Sequence, residues 1–80
     1  MKIEILGTGC HHCVQLDLLV ADVVKTLGLQ EVEIRRVDDE HEIRHYMPLD
    51  AIPGLVINSS LVSERVVPEQ ETLIRWLSQV

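Results

Sequence analysis

Between Cys10 and Leu27 the sequence repeats apolar residues at helical spacing, with a short β-rich segment on either side. Val14, Leu16, Leu18, Leu19, Val20, Val23, Val24 and Leu27 give this segment a broad apolar face. Gly28 suits the left-handed position just past a helix end. Before the helix, Lys2 to Leu6 reads as a strand ended by Gly7-Thr8-Gly9. After it, Glu31 to Val37 alternates, with Val32 and Ile34 on one face and Glu31, Glu33 and Arg35 on the other. Two strands joined through a helix lie parallel in one sheet, so the chain is committed to an α/β fold. The wet face of the second strand marks a sheet edge.

Asp39 with Glu42 reads as a capping box opening a short helix that buries Ile43, Tyr46 and Met47 and stops at Pro48. Leu55-Val56-Ile57, a turn at Asn58-Ser59-Ser60 and the run Leu61 to Val67 form a hairpin. Pro68, Glu69 and Glu71 suit the first turn of a last helix. Its apolar stripe is Leu73, Leu77 and Val80 with Ile74 beside them, and Trp76 packs next to Leu73 and Val80. The order is β-α-β-α-β-β-α: a four-stranded mixed sheet covered by three helices. Eighty residues allow one domain, spanning 1–80, whose core is thin because so short a chain buries only about 60% of its unfolded surface.

Charge narrows the partners. Seven Lys and Arg against 13 Asp and Glu leave a net charge of −6, which argues against nucleic acid and anionic membranes. One Tyr, one Trp and no Phe offer no row of rings for stacking on bases. No apolar run approaches the roughly 20 residues of a membrane span. The start Met1-Lys2-Ile3-Glu4-Ile5 lacks the pattern of a secretory signal, so a cytoplasmic protein is expected. In a reducing compartment a static bridge between Cys10 and Cys13 is improbable, and closing so short a loop adds little stability. The pair is chemical rather than structural.

Placing Cys10-His11-His12-Cys13 at the first turn of the long helix makes the two sulfurs unequal. Cys13 heads the column Leu16, Val20, Val23 and Leu27 and points toward the buried face. Cys10 sits at the helix mouth, where unpaired N–H groups and the positive dipole end favour a thiolate over a thiol of pKa about 8.5. An exposed thiolate attacks a disulfide, and its buried neighbour resolves the mixed disulfide. Cys10 is therefore the nucleophile and Cys13 the resolving thiol. Protonated His11 or His12 would favour the reduced form and make the couple more oxidising than thioredoxin at about −270 mV. Solvated, neutral imidazoles would leave it unchanged.

Gly7-Thr8-Gly9-Cys10-x-x-Cys13 after a strand, followed by Ala51-Ile52-Pro53-Gly54-Leu55-Val56-Ile57 opening a later one, resembles the thioredoxin superfamily. Closer still, it resembles the small redox-active disulfide proteins of bacteria and archaea, of glutaredoxin size. The resemblance covers nearly the whole chain and implies a minimal thioredoxin fold and a thiol–disulfide oxidoreductase without a bound cofactor. It also implies a cis Ile52–Pro53 peptide packed against the active-site disulfide, with Ile52, Pro53 and Gly54 shaping the substrate groove. Partners would be disulfide or dithiol proteins and a reductant that the sequence does not identify. Glu4 lies six residues before Cys10, the offset at which many thioredoxins bury a carboxylate that relays a proton to the second cysteine. The alternative is a strand-end carboxylate paired with Lys2 or Arg35. The chain departs from the wider family in carrying Gly9 where thioredoxins have Trp. No Pro stands between the cysteines, and Ser63 to Pro68 replaces the glutathione-holding turn of glutaredoxins.

A metal site is the rival reading, because thiolates and imidazoles in Cys10-His11-His12-Cys13 suit Zn²⁺ or Cu⁺. Adjacent side chains cannot all converge on one ion, and copper chaperones with CxxC follow a different element order. His41 and His45, one helical turn apart among Glu40, Glu42 and Arg44, read as a solvated face.

Overall fold

The strand Lys2–Leu6 (β1) buries every residue after Lys2, so it has no wet face and must lie inside a sheet. A computed structural model describes residues 1–78 and places β1 second in a row of four strands. The helix α1 (His11–Leu27) carries the chain to β2 (Glu33–Val37), which pairs with β1 in parallel. Then follow α2 (Glu40–Arg44), a 3₁₀ turn at Leu49–Ala51, β3 (Gly54–Ile57), β4 (Ser60–Glu64) and α3 (Gln70–Ser78). β3 runs antiparallel to both β1 and β4. The mixed sheet and three helices are those expected, and β2 is an edge.

Alternation along β1 divides the core into two. On one side Ile3, Ile5, Leu55 and Ile57 pack against Leu16, Val20 and Val23 of α1 and Leu73 and Leu77 of α3. On the other side Leu6, Val37 and Val56 pack against Ile43, Met47 and Ala51. Each buried aliphatic side chain contributes about 1.5–3 kcal/mol relative to leaving it in water. Trp76 is half-buried and joins the first cluster; Val80 lies outside the described residues.

Several boundaries differ from the sequence reading, each for a local reason. β4 stops at Glu64 rather than Val67 because Arg65 adopts φ 70° and donates its N–H to the carbonyls of Ala51 (2.7 Å) and Pro53 (3.0 Å). β2 starts at Glu33 because Glu31 adopts φ 57°. Asp39 caps α2 by accepting from the His41 N–H at 2.9 Å, but the box is not closed. Its second half, Glu42, accepts instead from Arg35 Nη2 at 2.9 and 3.2 Å. The apolar face of α1 is also wider than its core needs: Val14 and Leu18 remain 49% and 64% exposed. At the far end Gly28 takes φ 64° and its N–H donates to Lys25 and Val24 carbonyls, closing the helix.

Candidate active site

β1 ends beside its partner, since the Gly7 N–H donates to the Val37 carbonyl at 2.9 Å. Thr8 and Gly9 then lead the chain into α1, with Cys10 as its N-cap at φ −66°, ψ 167°. Cys10 Sγ accepts from the Cys13 N–H at 3.2 Å, the place a serine or aspartate oxygen usually fills. The first turn of α1 contains no acidic side chain to compete for its unpaired N–H groups. This is an environment that stabilises a sulfur anion.

Cys10 and Cys13 form a disulfide with Cα atoms 5.0 Å apart, well inside the range such bonds occupy. Cys10 is half-buried and Cys13 only 5% exposed, the inequality expected from helix position. Gly7 packs directly on Cys13: a Cβ at position 7 would collide with the Cys13 sulfur and stand 3.0 Å from its Cβ. This requirement for a bare backbone was not anticipated. His11 and His12 are both exposed, their ring centroids 5.7 Å apart.

The Ile52–Pro53 peptide is cis and Pro53 is fully buried. Gly54 pairs with Leu6 across the β1–β3 ladder, which sets Pro53 and Gly7 side by side at the same end of the sheet. The Arg65 N–H on both Ala51 and Pro53 carbonyls ties down the loop that carries Ile52. Arg65 was not singled out in the sequence, because its contact depends on the β3–β4 pairing.

Glu4 is placed differently from the strand-end reading. It is buried, 4% exposed, in the middle of β1. It shares the sheet face of Leu6, which α2 covers, whereas α1 and Cys13 lie over Ile3 and Ile5. A proton relay from Glu4 to Cys13 therefore has the sheet in its way. Instead Glu4 accepts from the Tyr46 hydroxyl at 3.3 Å and lies 3.9 Å from Arg35. The Arg35 pairing is one that the sequence offered.

Loss of water contact, followed by the Glu4 charge, pushes the Tyr46 hydroxyl above the usual tyrosine pKa of 10.0; Arg35 opposes the shift and Glu42 adds to it. An acid whose pKa is higher folded than unfolded stabilises the fold below about pH 10, and that stability is lost as pH rises through the folded value. Tyr46 is the only tyrosine, so tyrosinate absorbance reports it alone. Its midpoint should lie above that of the urea-unfolded chain and fall toward it in Glu4→Gln. A folded midpoint equal to the unfolded one would contradict this account.

Beside Cys13 opens a cavity of about 300 Å³, walled by Ile5, Gly7 and Gly9, by Cys13, Val14 and Asp17 of α1, and by Arg36 of β2. Arg36 pairs with Asp17, whose hydrogen bond and charge push the guanidinium pKa further up. No group of three or more His, Cys, Asp or Glu side chains that could hold a metal ion comes together among the described residues. The metal reading of Cys10 to Cys13 thus gains no support. His41 and His45 stack edge to face at 5.1 Å on an exposed surface.

A thioredoxin-domain family model matches residues 1–78. The chain belongs to the thioredoxin superfamily. A thioredoxin from Methanothermobacter thermautotrophicus is 35% identical over 72 residues, covering 89% of this chain and 91% of the relative. Family membership and the bonded cysteine pair together support a thiol–disulfide redox role for this thioredoxin-like protein. No helix among the described residues is long and apolar enough to cross a membrane.

Proposed function

We propose that this chain is a protein dithiol–disulfide oxidoreductase in which Cys10 attacks and Cys13 resolves. The observation that carries the reading is the placement of the bonded pair: Cys10 half-buried at the mouth of α1, Cys13 buried beneath it. The Cys10 thiolate attacks one sulfur of a substrate disulfide and expels the other as a thiolate. Cys13 then attacks Cys10 Sγ, releases the second substrate thiol and leaves the protein oxidised. A separate reductant resets the pair. The substrate lies along Ile52, Pro53 and Gly54, with the backbone of Ile52 pairing with an extended segment. No cofactor takes part, and the reducing cytoplasm suits the cycle.

His11 and His12 tune the couple from the helix mouth when protonated. A titration in glutathione redox buffers, read by alkylation and intact mass, tests the proposal. A two-electron transition between about −300 and −120 mV is expected, with its midpoint on the oxidising side of the thioredoxin value of about −270 mV. Replacing both histidines by alanine should make it more reducing. A pair that stays reduced, or stays oxidised, across that whole window overturns the assignment.

A further inference from the structure

The resolving step leaves a chemical question open. Cys13 must lose a proton before it can attack, yet it is only 5% exposed, so a group beside it has to take that proton. Glu4 stands on the opposite face of the sheet and is not placed to take that proton. The cavity beside Cys13 supplies one carboxylate. Asp17 follows Cys13 by one helical turn, so both side chains leave α1 on the same side, and both line this cavity. The Asp17 side chain is 19% exposed, enough to exchange protons with solvent at the cavity mouth. The volume of about 300 Å³ is large enough to admit water between the two groups.

We propose that Asp17 is the proton acceptor for Cys13 in the resolving step, reading out through cavity water, with Arg36 holding the carboxylate in place. The inference rests on the oxidoreductase reading above. The Cys13 thiol gives its proton toward the Asp17 carboxylate, and the thiolate attacks Cys10 Sγ of the mixed disulfide. The Cys10–Cys13 bond forms and the substrate thiolate leaves with the electron pair of the broken bond. Asp17 then returns the proton to solvent. A bare carboxylate would repel the Cys13 thiolate, but the Arg36 guanidinium cancels that charge. The other groups walling the cavity from β1 and the following turn, Ile5, Gly7 and Gly9, carry no charge, and neither does Val14. α3 meets α1 through Leu73 and Leu77, and His11 and His12 point to solvent.

The reduced protein with an aromatic disulfide reagent, 5,5′-dithiobis(2-nitrobenzoate), separates the two steps, because attack by Cys10 releases one coloured thiolate and resolution by Cys13 releases the second. Asp17→Asn should leave the first release within about twofold and slow the second by about tenfold or more at neutral pH. The deficit should close as pH rises, when hydroxide removes the proton instead. Arg36→Met should slow the second release by less than Asp17→Asn does, since the carboxylate remains but loses its anchor and its counter-charge. An unchanged second release in Asp17→Asn overturns the proposal. So does a deficit equal at every pH and reproduced by Arg36→Met, which would mean that the ion pair only supports the structure. The reagent needs thiols alone, so this result is independent of whether the redox titration supports the oxidoreductase reading.

Discussion

Cys10→Ser should lower disulfide-exchange turnover by about a hundredfold or more while leaving the fold in place. The two halves of this expectation have separate causes. A serine hydroxyl does not ionise near neutral pH, so the nucleophile is gone. Serine is nevertheless a favoured N-cap, and its oxygen replaces the sulfur that accepts from the Cys13 N–H at 3.2 Å. The urea midpoint should therefore match that of the reduced wild-type protein, which likewise lacks the bridge. Insulin reduction and circular dichroism measure the two parts. Loss of less than about tenfold in turnover would remove Cys10 from the nucleophile role. Cys13→Ser has the complementary signature: a mixed disulfide that persists, seen as one added substrate by intact mass, because nothing remains to resolve it.

Leu16→Ala should cost about 2–5 kcal/mol of stability. Leu16 is fully buried where α1 crosses the sheet, in the cluster formed by Ile3, Ile5, Val20 and Leu73. The missing atoms lose their transfer free energy and leave a cavity that strands on one side and α3 on another cannot close. For 80 residues the whole stability is about 4–12 kcal/mol, so the variant stands near the threshold of unfolding. The same deletion two residues on, Leu18→Ala, removes a side chain 64% exposed and should change stability by less than about 0.5 kcal/mol. Urea unfolding of both variants checks the contrast. Equal losses at the two positions would mean that the apolar face of α1 is not divided as described.

Much of this was legible because it is local. Periodicity found α1, and Gly28 found its end, since both depend on residues within one or two turns of each other. The same reasoning put Cys10 at the helix mouth and Cys13 on the buried face, which is the core of the candidate site. Where a local rule competed with a distant partner, it failed. Glu42 left the capping box for Arg35 on β2, and Arg65 left its strand for the Ala51 and Pro53 carbonyls. Neither partner is visible along the sequence.

By itself the sequence determined the element order, the edge position of β2 and the inequality of the two cysteines. It did not decide what stands around them. Glu4 and Asp17 are both carboxylates at a plausible spacing from the cysteine pair, and composition cannot choose between them. The tertiary structure decided which of them shares a face with Cys13, because a strand residue's side depends on which face its neighbours cover. Alternation along β1 sends Ile3 and Ile5 under α1 and Glu4 toward Tyr46 and α2, while one turn of helix keeps Asp17 on the side of Cys13.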